Sequence, residues 1–225
     1  MAHQQDDAWG HSIARIQYRP IVRGDMRSVV ELLLKLRPSI AGLSSELMYQ
    51  AILGDALTWK RVICLVAVRQ EKPIGYVLAA RDWRRFQRAF VLRHPMLGFR
   101  VLLKRLRSGL MRGKAEARDG PEPPDQSSNA APAGTRNWGD SSPDIAKIIH
   151  IGTDGAERSK GVGSGLYAAL YTHLERIGVT RVDAKIEEGN AASVRLHQRS
   201  GWTVAQCPGG FFATIDLPME TNERT

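Results

Sequence analysis

The chain of 225 residues is 43% hydrophobic and 24% charged, and its 32 basic residues outnumber 23 acidic ones for a net charge of +9. This composition indicates one globular domain with room for a full hydrophobic core. No run of eighteen apolar residues occurs and residues 1–11 are polar, so neither a transmembrane helix nor a signal peptide is expected. The two cysteines, Cys64 and Cys207, are too few for a disulfide framework, which favours packed free thiols and a reducing, cytoplasmic compartment.

The first 80 residues are predicted to form a strand, two helices and two further strands. Apolar and polar residues alternate in Ala14–Arg19, which predicts a short first strand. Helical spacing of apolar residues then follows twice, after the candidate capping residues Asp25 and Ser44–Ser45. Two continuous apolar runs, Arg61–Arg69 and Ile74–Ala80, predict a pair of buried strands joined by a short turn.

A basic, amphipathic segment follows. Between Arg81 and Lys114 every charged residue is basic except Asp82. Apolar residues recur at helical spacing in two stripes: Trp83, Phe86 and Phe90, and then Phe99, Leu102, Leu103, Leu106 and Leu110. Basic amphipathic helices are typical of membrane-surface or partner-binding elements. The alternative is that the stripes pack on the domain and leave a solvated basic face; nucleic acid is not expected, because no nucleic-acid module signature is present.

The segment Ala115–Asp144 is rich in Pro, Gly, Ser and Ala and poor in the apolar residues that a core needs, so a flexible loop is predicted. The predicted organisation is a single domain over residues 12–218 with tails at 1–11 and 219–225. Residues 81–143 form an insertion in that domain, with amphipathic helices at 81–114 and the loop at 115–143.

A glycine-rich turn lies between a predicted strand at Ile145–Ile151 and a helix that begins near Gly161. Glycine lets the backbone approach a ligand closely, and the first N–H groups of a helix attract an anion. Arg158 and Lys160 add positive charge, so this stretch is predicted to cradle a pyrophosphate. The spacing excludes a Walker loop and does not fit the dinucleotide fingerprint. The alternative is a left-handed glycine turn without a ligand.

The remaining chain is predicted to form a strand at Arg181–Glu187, a helix at Ala191–Ser200 and a final hairpin. The hairpin strands are expected near Thr203–Gln206 and Phe211–Leu217, because Pro208-Gly-Gly marks a turn between them.

The turn and the last helix together resemble the signatures of the GNAT superfamily of acyl-CoA-dependent N-acyltransferases. The family's R/Q-x-x-G-x-G/A loop corresponds to Arg158, Gly161 and Gly163. Its N-x-x-A-x-x-L-Y-x-x-x-G-F signature corresponds to Asn190, Ser193, Leu196, His197, Gly201 and Trp202. Ser193 and Trp202 are mild departures from this pattern. His197 is a larger one, because it replaces the tyrosine that is thought to protonate the coenzyme A thiolate in many members.

The resemblance implies an α/β (α+β) fold with a mixed, mostly antiparallel central sheet flanked by helices, here with the basic insertion between the third and fourth strands. It also implies acetyl-CoA as co-substrate and no metal. The thioester carbonyl would be polarised by a backbone N–H of the strand before the turn, at Ile151 or its neighbours. The cofactor-binding residues predicted in this way are Ile149, Ile151, Arg158, Ser159, Lys160, Gly161, Val162, Gly163, Ser164, Asn190 and Ser193.

Acyl transfer to an amine needs a base, because free alkyl amines are mostly protonated at neutral pH. His150 fits by residue type; the alternative is a histidine on the sheet face away from the substrate, since Ile149 and Ile151 should point opposite to it. Glu187 or Glu188, acting directly or through a water, is the competing base. His197 is the candidate acid for the leaving thiolate, or else a helix-surface histidine without a role.

The predicted function is therefore the transfer of an acetyl group from acetyl-CoA to a primary amine by direct attack. A small-molecule acceptor is expected, such as an amino sugar of a surface-polysaccharide precursor. Such precursors are lipid-linked, which suits a peripheral membrane contact through Arg81–Lys114. A protein or peptide N-terminus is an alternative acceptor, and a non-catalytic acyl-CoA sensor is an alternative function. A homodimer also stays open.

Overall fold

A computed structural model describes residues 15–36, 43–97 and 141–218. In these ranges seven strands form one sheet in the order β1-β2-β3-β4-β5-β7-β6. The strands are β1 Gln17–Pro20, β2 Val62–Arg69, β3 Lys72–Arg81, β4 Ile145–Thr153, β5 Arg181–Glu187, β6 Thr203–Cys207 and β7 Gly210–Asp216. All neighbouring pairs are antiparallel except β4 and β5, which are parallel. The predicted mixed, mostly antiparallel sheet is confirmed.

Helices cover both faces of this sheet. Those in the described ranges are α1 Met26–Leu36, α2 Leu43–Thr58, α3 Trp83–Arg93, α4 Val162–Arg176 and α5 Ala191–Arg199. One core, which we call the α1/α2 core, includes residues of α1, α2 and α3 such as Leu33, Leu53 and Phe86. The other, the α4 core, is built around Leu166 and Leu170. No helix among the described residues is long and apolar enough to cross a membrane.

The central strands are buried on both faces, which explains their continuous apolar runs. Along β2, Val62, Cys64 and Val66 belong to the α1/α2 core. The residues between them, Ile63 and Leu65, belong to the α4 core. A strand with apolar neighbours on both faces shows no alternation of polar and apolar residues.

Both cysteines are free thiols, as the sequence predicted. Cys64 is 3% exposed within β2. Burial raises the pKa of its thiol to about 12, so the reactive thiolate is not formed at neutral pH. Cys64 is therefore a packing residue.

The first apolar stripe of the basic segment packs on the domain. Phe86 is 4% exposed in the α1/α2 core, and Trp83 and Phe90 pack against the same core. The ring of Trp59, just after α2, stacks on Phe86 with centroids 5.9 Å apart. For α3, therefore, the interpretation that this stripe faces a membrane is wrong. The second stripe, at 99–110, and the loop predicted at 115–143, up to residue 140, lie outside the described residues.

Polar contacts fasten the end of α3 to α2. The buried carboxylate of Asp55 lies 3.1 Å from Arg93 Nη1 and 3.3 Å from His94 Nε2. The Arg93 guanidinium also lies over the Trp59 ring, 5.0 Å from its centroid. The aromatic stripe and this polar anchor fix the helix, and its basic residues Arg84, Arg85 and Arg88 are left exposed on the outer face.

Because Phe86 is buried, Phe86→Ser should lower the free energy of unfolding by about 3–5 kcal/mol, the usual cost of deleting a core phenylalanine. The matched control is Leu92→Ser on the same helix, where the side chain is 82% exposed. That change should stay within about 0.5 kcal/mol. Urea titrations measure both variants, and equal effects would contradict the packing of α3 described here.

Candidate functional site

The central strands β4 and β5 separate halfway along their length. Their parallel register runs from Ile145↔Arg181 to Ile148↔Ala184 and ends there. Yet β4 continues to Thr153 and β5 continues to Glu187. The C-terminal halves of the two strands therefore form the walls of a wedge-shaped cleft, into which the backbone edge of β4 is turned.

A β-bulge in β4 lies where the cleft begins. The register with β3 shifts between Leu78↔His150 and Ala79↔Ile148, so Ile149 is an extra residue in β4. As a result Ile149 and His150 both face the α1/α2 core, where His150 stacks on Tyr76. The sequence-based expectation that Ile149 points opposite to His150 is wrong, because strict alternation does not survive a bulge. Ile151 does face the other way and packs against the α4 core.

The glycine-rich turn connects β4 to α4. Ser159 and Gly161 both have left-handed backbone conformations, with φ of +63° and +79°. Gly161 is the N-cap of α4, and because it has no side chain the first turn of the helix has no side-chain cap. The N–H groups of this turn have no intrahelical partner, so they and the helix dipole present a positive end to the cleft.

An ion pair holds the turn against the first half of the chain. Glu157 lies 2.8 Å from Arg69 Nη1 at the end of β2 and 3.5 Å from Lys160 Nζ. Lys160 is thus directed to Glu157, and it is not among the residues that line the cleft. The prediction that Lys160 belongs to the cofactor-binding set is not supported by this placement.

The cleft brings together every other predicted site residue in a volume of about 930 Å³. Those residues are Ile149, His150, Ile151, Arg158, Ser159, Gly161, Val162, Gly163, Ser164, Glu187, Asn190, Ser193 and His197. Sequence reasoning missed three basic residues of the cleft wall, Lys185, Arg195 and Arg199. The two arginines are spaced i, i+4 on α5, a spacing that could have indicated a shared basic face.

His197 is buried between α4 and α5. Its Nδ1 lies 2.7 Å from the Ser193 carbonyl oxygen, and its Nε2 lies 2.9 Å from Tyr167 Oη. A carbonyl only accepts, so Nδ1 carries the proton and Nε2 accepts the Tyr167 hydroxyl. Only 2% of His197 is exposed, so the alternative of a helix-surface histidine is wrong. The role of His197 as general acid stays a prediction. An acid would need a hydrogen on Nε2, whereas in this arrangement the hydrogen between the two groups belongs to the Tyr167 hydroxyl.

The carboxylates near the cleft differ in their surroundings. Glu187 is exposed at the end of β5 and lines the cleft, whereas Glu188 is exposed outside it. Asp183 is fully buried in an ion pair, 3.0 Å from Arg181 Nε, and accepts the Thr214 hydroxyl at 3.1 Å. Asp183 is therefore a structural residue, whereas Glu187 is a carboxylate that can reach a bound ligand.

Asn190 caps α5, since its side-chain oxygen accepts the Ser193 N–H at 3.1 Å. It also lines the cleft beside Ser193, so capping and ligand contact are compatible at this position. Leu196 on the same helix packs toward the turn, where a Cβ at Gly163 would lie 3.4 Å from both of its methyl groups. The close approach of α4 and α5 closes one side of the cleft.

This geometry indicates what kind of ligand the cleft can hold. A cleft between parting strands, with a helix N-terminus at its mouth, suits an extended ligand that carries phosphates at one end. The Acetyltransferase (GNAT) family model matches residues 128–202. The motif and the family model agree, and this stretch of the chain is similar to acetyltransferases of the GNAT family.

Solved structures share the fold at low sequence identity. The PaiA N-acetyltransferase of Thermoplasma acidophilum, solved with coenzyme A, is 8% identical, with a TM-score of 0.54 over 90% of this chain and 99% of that one. A GNAT acetyltransferase of Staphylococcus aureus has a TM-score of 0.58 at 8% identity, covering 91% and 100% of the two chains. The ribosomal-protein-S18-alanine N-acetyltransferase of Escherichia coli has a TM-score of 0.52 at 13% identity, covering 94% and 99%. These likenesses concern the fold alone.

Curated relatives match over a shorter stretch. The mycothiol acetyltransferase of Streptosporangium roseum is 34% identical over 59 residues, which is 26% of this chain and 18% of that protein. The mycothiol acetyltransferase of Geodermatophilus obscurus is 35% identical over 66 residues, which is 29% of this chain and 21% of that protein. This chain thus spans about a fifth of the length of the curated relatives it matches.

The buried His197 should make stability depend on pH. Burial lowers its pKa from 6.5, and the hydrogen bond to the Ser193 carbonyl only partly opposes this. The unfolded chain therefore takes up a proton first as the pH falls below about 6.5, and stability is lost in that window. Between about pH 7.5 and about pH 5.5, the free energy of unfolding should fall more steeply for wild type than for His197→Gln. Urea titrations at both pH values measure this difference, and parallel slopes would contradict a buried, neutral His197.

Proposed function

We propose that this protein transfers an acetyl group from acetyl-CoA to a primary amine by direct attack. The observation that carries the proposal is the separation of β4 from β5 beside the N-terminus of α4. The pantetheine arm of acetyl-CoA would enter the wedge, and its pyrophosphate would lie on the N–H groups of residues 159–164. Arg158, at the edge of the cleft, adds a positive charge to that anion site.

In this proposal, β4 supplies both the backbone N–H that polarises the thioester carbonyl and the base that takes the proton of the amine. A backbone N–H at Ile151 or a neighbour would polarise the thioester carbonyl, because the edge of β4 is turned into the cleft. The amine nitrogen forms a bond to the carbonyl carbon, the carbon–sulfur bond breaks, and the thiolate leaves. The amine must lose its proton in this step, and we propose His150 as the base that takes it, with Glu187 as the competitor.

The position of His150 supports a proposal for the side from which the acceptor enters. It faces the α1/α2 core side of the sheet, and Leu36, the last residue of α1, lines the cleft on that side. The amine would therefore approach past the C-terminal end of α1. An amino sugar of a surface-polysaccharide precursor is the acceptor we propose, and a protein or peptide N-terminus is the alternative.

The test combines turnover with coenzyme A binding in a matched pair of glycine variants. Gly161 and Gly178 flank the two ends of α4, have φ of +79° and +74°, and would place a new Cβ in open space. Alanine should therefore strain both sites by a similar amount, on the order of 1–2 kcal/mol. Of these two glycines, Gly161 lines the cleft and Gly178 does not. Gly161→Ala should therefore weaken coenzyme A binding at least about 10-fold, while Gly178→Ala leaves it unchanged.

Isothermal calorimetry measures coenzyme A affinity, and a thiol reagent measures coenzyme A released from acetyl-CoA over a panel of amino sugars, small amines and peptides. Release of thiol with one acceptor class identifies the acceptor. Tight binding of acetyl-CoA without release over the whole panel would favour a non-catalytic acyl-CoA sensor. Equal affinities for the two glycine variants would contradict the phosphate site.

We also propose that the outer face of α3 contacts anionic membrane. Its exposed basic residues Arg84, Arg85 and Arg88 precede Leu92 and Met96, which are 82% and 81% exposed. A basic face that continues into exposed apolar side chains suits an interface of acidic headgroups and acyl chains. Each basic residue near such a surface contributes about 1 kcal/mol of attraction.

This contact predicts co-sedimentation with vesicles that contain anionic lipid and none with neutral vesicles. Reversal of Arg84, Arg85 and Arg88 to Glu should abolish co-sedimentation without loss of acetyl transfer to a soluble amine. Leu92→Ser, which should not alter the fold, should weaken binding even at low salt, because apolar burial is not screened. Wild-type protein that does not co-sediment with anionic vesicles would overturn the proposal.

A further inference from the structure

Tyr76 of β3 is a side-chain partner of His150. The hydroxyl oxygen of Tyr76 lies 2.6 Å from His150 Nδ1. The two rings stack nearly parallel, with an interplanar angle of 13° and centroids 5.5 Å apart. Tyr76 itself is fully buried in the α1/α2 core. A buried phenol thus fixes both the plane and one nitrogen of a histidine that lines the cleft.

The neighbouring backbone explains how Tyr76 reaches His150. Tyr76 lies opposite Gly152 in the register of β3 and β4, and His150 lies two residues earlier on β4, opposite Leu78. A Cβ at Gly152 would lie 3.2 Å from the Tyr76 hydroxyl and 2.5 Å from Leu36 Cδ1. Because glycine stands there, the phenol can extend diagonally over β4. The bulge at Ile149 brings His150 onto the same face.

We propose that Tyr76 is a positioning residue for His150, and that its hydroxyl oxygen accepts the hydrogen of Nδ1–H. A neutral imidazole carries one N–H, so a proton on Nδ1 leaves the lone pair on Nε2. His150 then takes the proton of the attacking amine on Nε2, and the imidazolium keeps its Nδ1–H bond to Tyr76. This inference rests on the proposed transfer to an amine and on His150 as its base.

The opposite arrangement is chemically distinct. If the Tyr76 hydroxyl donated to Nδ1, the neutral ring would carry its hydrogen on Nε2 and could not accept a proton there. Tyr76→Phe separates the two cases, since it removes one oxygen and keeps the stacked ring. Loss of an acceptor destabilises the imidazolium, whereas loss of a donor destabilises the neutral ring.

The charged groups around His150 stay the same in this comparison. Lys35 of α1 pairs with Asp154 at 3.3 Å, and Lys185 and Glu187 of β5 line the opposite wall of the cleft. None of them is altered by Tyr76→Phe, so a difference in pH profile between the variant and wild type reports on the hydroxyl. Tyr49→Phe is the matched control, because Tyr49 is a buried tyrosine of the same core on α2.

In the kinetic test, Tyr76→Phe should lower kcat about 10-fold, less than the about 10²-fold or greater loss expected of His150→Gln. The KM for acetyl-CoA should not change, and the acid limb of the pH–rate profile should move to lower pH. In the His150→Gln background, Tyr76→Phe should have no further effect on kcat. Tyr49→Phe should match wild type in all three measurements. An acid limb that moves to higher pH, or an unchanged kcat and profile, overturns the proposal.

A binding-independent measurement separates this inference from the proposed function. Long-range ¹H–¹⁵N spectra report which ring nitrogen carries the hydrogen, and the His150 signals are assigned by their loss in His150→Gln. Wild type should show Nδ1–H, and Tyr76→Phe should shift the population toward Nε2–H. Nε2–H in wild type overturns the positioning role even if the enzyme is active. If His150 carries its hydrogen on Nδ1 but the protein consumes no thioester, the positioning role of Tyr76 stands and the proposed acetyl transfer is rejected.

Discussion

The candidate site depends on the unequal pairing of β4 on its two edges. Its antiparallel register with β3 extends from Arg81↔Ala146 to Gly75↔Thr153, but its parallel register with β5 ends at Ile148↔Ala184. A strand held firmly on one side can leave the other edge open without losing its place in the sheet. The bulge at Ile149 adds local twist at the point of separation. The cleft, its backbone edge and the direction of His150 all follow from this one strand.

The predicted phosphate-binding turn is positioned by contacts with the first half of the chain. Gly165 of α4 lies so close to β1 that a Cβ there would overlap the Tyr18 ring. Gly75 of β3 is similarly close to α4, since a Cβ at this position would lie only 3.0 Å from a Val162 methyl group. The ion pair between Glu157 and Arg69 holds the turn from the other side. The N-terminus of α4 is thus fixed against β1, β2 and β3 by packing and by this ion pair.

The basic segment shows how one helix serves two requirements. In α3 the aromatic residues, with Phe86 at their centre, complete the α1/α2 core. The arginines and Leu92 occupy the opposite face because burial of the aromatic stripe fixes the rotation of the helix about its axis. A polar anchor at Asp55 holds the C-terminal end of α3. One face of this eleven-residue helix therefore stabilises the domain, and the other face presents its basic side chains to solvent.

Local patterns in the sequence determined the order of the elements, the glycine turn and the resemblance that led to acetyl-CoA, because periodicity and the conformational freedom of glycine are properties of short segments. They did not reveal the bulge at Ile149, since β4 places apolar residues on both faces of the sheet and a shift by one residue leaves no visible break in such a run. Nor did they reveal the ion pair of Lys160 with Glu157 or the burial of His197 against Tyr167, because these contacts form only in the packed fold. Tyr76 and His150, 74 positions apart, meet only because β3 and β4 pair with Gly152 between their side chains. Which nitrogen of His150 contacts Tyr76 was therefore decided by tertiary structure.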